Sequence, residues 1–417
     1  MFDAWGISIF VGFDFHNVDA LRLKSRKELL TLLFRKLLIL RIYSILFDGI
    51  KKLPAEHVEM EKELLLRWMA ESQMLEKANV RLNDAAIQVS EWFRKKGFRT
   101  CILKGQGNAL MYPNPNSRTP GDIDIWVVGG DKRVISFVRS ISPHEKACYH
   151  HIEFPSYKGV EVEVHYRPSF LLCFWHDRKL QKYSERVKEE QFSHRVMLGE
   201  QGEIAIPTAE FNLIFQLTHI FSHLMNEGIG LRQLVDYYFV ICDFYKVYQN
   251  FSNPSVSLSK GSSTFSPSPS SSGSGDVTAP SRCSEPLRSK DGGPKRSTPD
   301  CAGWDRLGVL QKELKELGVW KFAGGIMYIM QEVFGMPASQ LMVRPNEKYG
   351  KFVLNEVLEA GNFGRHDARN RFGRSQLGHN LQRVYRDMRL ARYFPAEALC
   401  EPLFRVWHFF WRLKYKK

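Results

Sequence analysis

The chain has little cysteine and no recognisable internal repeat. Its seven cysteines, at positions 101, 148, 173, 242, 283, 301 and 400, show no Cys-x-x-Cys spacing. An odd, scattered set of cysteines is typical of a reducing compartment. The pattern therefore implies neither a disulfide framework nor a zinc ribbon.

The sequence also has no long apolar run that is free of charge. The most apolar stretch, residues 29–47, is interrupted by Arg35, Lys36 and Arg41. Each such charge costs about 2.5 to 3.5 kcal/mol near the centre of a bilayer, so we predict no transmembrane segment. We predict instead a cationic amphipathic helix that packs on the protein, with membrane-surface contact as the alternative. No signal peptide is recognisable, which favours a cytoplasmic location.

A chain of 417 residues predicts two or three domains, or one domain with appended helices. The stretch after Tyr248 is dense in Ser, Pro and Gly and cannot bury enough apolar surface to offset chain entropy. From such changes in composition and periodicity we predict an N-terminal amphipathic helical segment at 1–54, an α/β core at 55–207, a helical region at 208–249, a disordered linker at 250–303 and a basic helical region at 304–417.

Two carboxylates stand close together on a segment rich in Ile, Trp and Val. Asp122 and Asp124 are two residues apart, so in a strand both would project to one face. Neighbouring carboxylates repel each other unless a cation lies between them. Oxygen ligands suit Mg²⁺, with Mn²⁺ as an alternative, and substrate phosphates complete its coordination. The pair therefore predicts a divalent metal site.

A third acid lies on a later segment, residues 160–166. Its valines share one strand face, while Glu161, Glu163 and His165 share the other. Residues 149–154 favour the first arm of a hairpin into this strand, with residues 155–159 as its loop. Such a hairpin beside the Asp122 segment would bring Glu163 close to both aspartates, whereas Glu161 is expected to be solvated.

Together these motifs resemble a known superfamily. The chain resembles the nucleotidyltransferases with the DNA polymerase β-type fold in a set of motifs. These are Lys104-Gly105, a following helix, Arg118, Gly121-Asp122-x-Asp124 and Glu163-x-His165. More narrowly, the chain resembles the bacterial group labelled "uncharacterised nucleotidyltransferase". The resemblance implies an α/β (α+β) fold, with a polymerase β-like mixed sheet, flanking helices and a mostly helical C-terminal part.

The resemblance also implies roles for single residues. Asp122, Asp124 and Glu163 match the catalytic, metal-binding carboxylates, and Glu163 would take a proton from the attacking hydroxyl or ligate a second metal ion. Nucleotide binding falls to Lys104, Gly105, Arg118 and Gly121. The superfamily usually has Gly-Ser or Gly-Gly at the turn where this chain has Gly105-Gln106. Lys104 or Arg118 is therefore expected to supply the phosphate contacts.

The implied activity is Mg²⁺-dependent transfer of a nucleoside monophosphate from a nucleoside triphosphate to a hydroxyl-bearing acceptor, with release of pyrophosphate. A small molecule, a sugar, a protein or an RNA end would serve as acceptor, and the sequence does not choose among them. The alternative is a non-catalytic nucleotide-binding or scaffold relative that binds partners or nucleic acid through its basic C-terminal region.

Two further patterns leave alternatives open. The net charge of +14 is concentrated in the C-terminal region, where arginines interleave with aromatic residues. This pattern favours binding of nucleic acid or anionic lipid, or else an amphipathic helix with a solvated basic face. On a predicted helix, His219 and His223 favour packing or acceptor contact over zinc ligation. Arg232 and Asp236, at i and i+4, favour an intrahelical ion pair, with a substrate-facing role as the alternative.

Overall fold

The computed structural model describes residues 42–52, 61–200, 202–252, 299–360 and 376–415. Most of the predicted N-terminal segment and residues 253–298 of the predicted linker lie outside these ranges. The predictions made for those two segments therefore stay predictions. Helices border the linker, one ending at Ser252 and the next beginning at Pro299.

Helices make up most of the described chain. Before and within the sheet they are α1 (Tyr43–Ile50), α2 (Lys62–Lys95), α3 (Gln106–Ala109), α4 (Gly130–Ile141) and α5 (Phe174–Ser193). After the sheet they are α6 (Ala209–Asn226), α7 (Leu231–Ser252), α8 (Pro299–Glu316), α9 (Trp320–Glu332), α10 (Glu347–Ala360), α11 (Gln376–Ala391) and α12 (Pro395–Lys414). Short 3₁₀ turns occupy Pro115–Ser117 and Ala338–Gln340.

The main sheet has four strands in the order β1-β2-β4-β3. They are β1 (Thr100–Ile102), β2 (Ile123–Val127), β3 (His151–Tyr157) and β4 (Val160–His165). β2 runs parallel to β4, and the other two pairs are antiparallel. A small two-stranded sheet, β5 (Arg195–Met197) and β6 (Glu203–Ala205), lies after α5. The predicted mixed sheet with flanking helices and a mostly helical C-terminal part is confirmed.

The hairpin loop is shorter than the sequence analysis predicted. Residues 155–157 belong to β3, after a register irregularity between Phe154 and Tyr157. Only Lys158 and Gly159 form the turn, with φ of 52° and 81°. Two consecutive residues with positive φ match the right-handed twist of the two strands, so the chain reverses without a longer loop.

The sheet is covered by α2, whose apolar positions recur at helical spacing. Leu82, Val89 and Phe93 lie seven and four residues apart and are buried against the strands. The helix ends at Lys95, and Gly97 follows with φ of 79°. A glycine is favoured there because the left-handed region costs a side-chain-bearing residue free energy.

The helical half packs around α6, which is buried on almost every side. Phe215, Leu217 and Phe221 lie in one apolar cluster with α7 and α9, and Trp126 of β2 belongs to the same cluster. The sheet and the helices after it therefore share a continuous apolar contact. Within the described ranges, no helix combines the length and apolarity needed to cross a bilayer.

The start of the predicted helical region at 304–417 is divided between two helices. α8 ends at Glu316 and α9 begins at Trp320, because Gly318 adopts φ of 72° and interrupts the helical backbone. Leu310, Leu314 and Leu317 still share one buried face, as their spacing predicts.

The centre of β2 supplies a test of the core. Ile125 is fully buried between β1 and β4, so Ile125→Ala should lower the free energy of unfolding by about 2 to 5 kcal/mol through lost apolar burial and a residual cavity. Ile141, 44% exposed at the end of α4, is a matched control, and Ile141→Ala should change stability little. Chemical denaturation of both variants decides, and equal losses would contradict the placement of Ile125.

Candidate active site

Three carboxylates converge where β2 and β4 run side by side. Asp122 lies one residue before β2, Asp124 is within it, and Glu163 of β4 is paired with Asp124 across the parallel ladder. One carboxylate oxygen from each lies within 4.8 Å of the others. The strand alternation that predicted this grouping thus agrees with the geometry, and the catalytic role of the three residues stays a prediction.

Two cations compensate this acidic group. Lys104 follows β1, and the Leu103 amide donates to the Asp124 carbonyl at 2.9 Å, which places the Lys104 side chain beside Asp124. Its Nζ lies 3.1 Å from Asp124 Oδ2. His165 Nε2 lies 3.1 Å from Asp124 Oδ1 and 3.3 Å from Glu163 Oε2. The carboxylates are therefore held by charge as well as by the ladder.

The pKa values follow from these contacts. Burial raises the pKa of Asp124, but Lys104 and His165 outweigh it and hold the pKa below its usual range. Burial acts likewise on Glu163, yet the hydrogen bond from His165 and the charges of His151 and His165 lower its pKa to about 2. For His165, burial lowers the pKa, but the two carboxylates raise it to about 9. His165 is thus a cation at neutral pH.

His165 is a site residue to which the sequence analysis gave no role. It was placed on the face of Glu161 and Glu163, but the sequence does not say that β4 pairs with β2 rather than only with β3. That pairing puts the His165 imidazole, 1% exposed, against Asp124. The strand periodicity predicts the face of β4 on which His165 lies, but its contact with Asp124 depends on tertiary structure.

The predicted turn at Gly105 lies next to the aspartates. Gly105 has φ of 65° and precedes α3, and a Cβ there would lie 3.7 Å from the Asp122 carbonyl oxygen. A left-handed backbone at this point favours glycine. Lys104 Nζ also lies 3.2 Å from His219 Nε2. Gly121 is next to Arg232, whose Nη1 would be 3.6 Å from an added Cβ.

Arg118, which was predicted to contact phosphate, forms an ion pair with Asp236. Its guanidinium is buried and donates to both carboxylate oxygens of Asp236, at 2.9 Å and 2.8 Å. The Tyr112 hydroxyl donates to the same carboxylate at 2.5 Å. Burial raises the pKa of Asp236, but Arg118 outweighs it and lowers that pKa. The pair joins the loop before β2 to α7.

The prediction of an intrahelical ion pair between Arg232 and Asp236 is therefore wrong, because Asp236 pairs with Arg118. Asp236 points from α7 toward Arg118, and Arg232 donates to the Pro120 carbonyl at 3.2 Å. Burial explains the difference, because a buried carboxylate gains more from a two-pronged guanidinium contact than from a partner one turn away on its own helix. Both arginines thus fix the segment that leads to Asp122.

A large cavity of about 1610 Å³ connects these features. All seven predicted site residues line it, namely Lys104, Gly105, Arg118, Gly121, Asp122, Asp124 and Glu163. The same cavity is lined by residues that the sequence analysis did not connect with the site, namely His150, His151, Phe404, Arg405 and His408. The basic C-terminal region therefore contributes to this cavity as well as to the outer surface.

The histidine pair of α6 also lines the cavity. His219 and His223 approach at 3.1 Å between their Nε2 atoms, so one donates a hydrogen bond to the other. Burial lowers the pKa of His219 well below its usual value, with Lys104 acting in the same direction. A neutral His219 beside Lys104 is in keeping with the packing or acceptor-contact interpretation.

The profile described as "Uncharacterised nucleotidyltransferase" matches residues 38–247, which is half of the chain. The chain belongs to that family. Among solved structures, it is similar to an antigenic nucleotidyltransferase-like protein from Paracoccidioides brasiliensis, at 14% identity over 45% of this chain and 89% of that one, with a TM-score of 0.22. No curated protein matches the chain.

The contacts of Arg118 generate a stability prediction. Asp236→Asn leaves a buried guanidinium without its counter-charge, so the free energy of unfolding should fall by about 3 to 5 kcal/mol. Chemical denaturation measures the loss. The exposed pair of Arg99 and Glu189 is the control, because water and salt screen it and Glu189→Gln should leave stability nearly unchanged. A stable Asp236→Asn protein would show that the pair is not structural.

Proposed function

We propose that this protein is a Mg²⁺-dependent enzyme that transfers a nucleoside monophosphate from a nucleoside triphosphate to a hydroxyl-bearing acceptor and releases pyrophosphate. Mn²⁺ is the alternative cation. The observation that carries the proposal is the grouping of Asp122, Asp124 and Glu163 within 4.8 Å on the wall of a cavity large enough for substrates. Membership of a nucleotidyltransferase family supports the same class of reaction.

The donor set fits a hard divalent cation. All three ligands are carboxylate oxygens, which Mg²⁺ prefers. Asp124 Oδ2 is buried and makes no hydrogen bond, although the Lys104 ammonium is 3.1 Å away. Asp122, Asp124 and Glu163 would hold the ion. When bound, it would supply positive charge to the oxygens that become negative during the transfer.

The chain's own residues position the reactants. In the proposal, an acceptor hydroxyl oxygen attacks the α-phosphorus, the bond from that phosphorus to the bridging oxygen breaks, and pyrophosphate leaves. The hydroxyl proton passes to solvent. The pKa of Glu163 is lowered to about 2, which makes it a weak base, so Glu163 contributes chiefly as a ligand.

In this proposal, the turn at Gly105 binds the phosphates of the nucleoside triphosphate. Lys104 supplies the fixed positive charge there, and the Gly105 backbone allows close approach. Arg118 lines the cavity, but its guanidinium is held by Asp236, so we propose that it positions the Gly121 segment and makes no phosphate contact. The scaffold alternative leaves unexplained why three carboxylates are gathered here with two compensating cations.

Neutralising the aspartates tests the metal assignment. Asp122→Asn and Asp124→Asn keep side-chain volume but remove charge, so pyrophosphate release should fall by orders of magnitude. Glu153→Gln, at an exposed residue of β3 that does not line the cavity, should retain activity. The assay screens labelled nucleoside triphosphates with and without Mg²⁺, and circular dichroism checks folding. Near wild-type turnover in both aspartate variants would refute the assignment.

Triphosphate binding tests Lys104 separately. Lys104→Ala should weaken Mg²⁺-dependent binding of the triphosphate by about 1.5 to 3 kcal/mol, the typical worth of a hydrogen bond to a charged group. Lys96→Ala, at an exposed lysine after α2, serves as the control. Calorimetry decides between the models: equal affinities would place Lys104 outside the nucleotide site, and no binding by the intact protein would favour the scaffold.

A further inference from the structure

The cavity has a wall made by the last two helices. α12 contributes five residues to it that lie one, three or four residues apart, namely Glu401, Phe404, Arg405, His408 and Arg412, and α11 adds Arg383. Such spacing defines one helix face. The C-terminal region thus presents a continuous, arginine-rich surface to the space that also contains the acidic group.

Stacked rings fix this wall relative to the sheet. Four aromatic rings stack one upon the next, in the order His150, Phe170, Phe404 and His408. The interplanar angles of the three successive pairs are 28°, 18° and 25°. His150 is next to His151, whose Nδ1 lies 3.5 Å from Glu163 Oε2. The rings therefore link α12 to the residues around the acidic group.

The arginines of the wall differ in their partners. Arg405 is paired with Glu401 and lies 3.6 Å from Asp387. Among the described residues, Arg383 and Arg412 have no recorded ion pair, and both are exposed. Burial, together with Arg412, lowers the pKa of His408 to about 4, so His408 adds no charge at neutral pH. Two uncompensated guanidinium groups therefore face the cavity.

The size of the cavity leaves room for a second substrate. Its volume of about 1610 Å³ exceeds the range of about 300 to 1,000 Å³ that is usual for one small-molecule site. A triphosphate bound near Lys104 and Gly105 would leave the α11–α12 side open. An occupant of that side meets guanidinium groups, which suit the paired oxygens of a phosphate.

We infer that the α11–α12 wall binds the acceptor, and that the acceptor carries a phosphate ester in addition to its reactive hydroxyl group. The inference rests on the proposed function, because it names the acceptor class of that reaction. The phosphate ester would contact Arg383 and Arg412 and would not be consumed. A phosphorylated sugar and an RNA terminus share this chemistry, whereas a cationic acceptor would be repelled.

Calorimetry with defined probes tests the inference. The intact protein, saturated with Mg²⁺ and a non-hydrolysable triphosphate so that the Lys104 side is filled, is titrated with ribose 5-phosphate, with ribose or with a trinucleotide RNA. We expect ribose 5-phosphate or the RNA to bind and ribose not to bind, and the one that binds identifies the source of the phosphate. Arg383→Gln and Arg412→Gln should each weaken that binding about 10-fold or more.

The control variant is Arg392→Gln, since Arg392 is exposed between α11 and α12 and does not line the cavity. It should bind the probe normally, and all three variants should bind the triphosphate normally. The inference is overturned if neither phosphorylated probe binds, or if the cavity variants bind it as tightly as Arg392→Gln. If the triphosphate fails to bind but the probe still depends on Arg383 and Arg412, the proposed function fails and the anion-binding wall stands.

Discussion

The concentration of negative charge at one point of the sheet is the constraint on which this structure depends. Asp122, Asp124 and Glu163 cannot share a partly buried location as anions without nearby positive charge. Lys104 and His165 provide it, one from the end of β1 and the other from β4. The ladder β1-β2-β4 therefore brings together the carboxylates and the cations that stabilise them.

Beyond the sheet, the surrounding helices fix the approach to this point. The Arg118 and Asp236 pair connects the loop before β2 with α7, and Arg232 holds the Pro120 carbonyl. Neither interaction touches the carboxylates, yet both restrict the backbone that leads into Asp122. A buried ion pair is weak evidence for net stability, but it favours one arrangement over others because an unpaired partner would be costly.

The sequence predicts features that depend on neighbouring residues of one strand, but it does not predict contacts between residues far apart in the chain. Alternation along β2 and β4 predicts the carboxylate face because side-chain direction in a strand is a local property. The partner of Asp236 is 118 residues away in Arg118, and no periodicity encodes that contact. The role of His165 likewise depends on which strand lies beside β4. Arg412 lies in the C-terminal region that the sequence predicts to be basic, but its position at the cavity depends on the packing of α12.

The parallel pairing of β2 with β4 determines what a shift in strand register would change. Asp124 and Glu163 lie opposite each other, and valines flank Glu163 on both sides. If β4 shifted by one residue, a valine would replace Glu163 beside Asp124, and the Glu163 carboxylate would turn to the apolar face. A misfolded chain would then lose its group of three carboxylates as well as its core packing. Correct assembly of the sheet and the gathering of the three carboxylates are thus a single event.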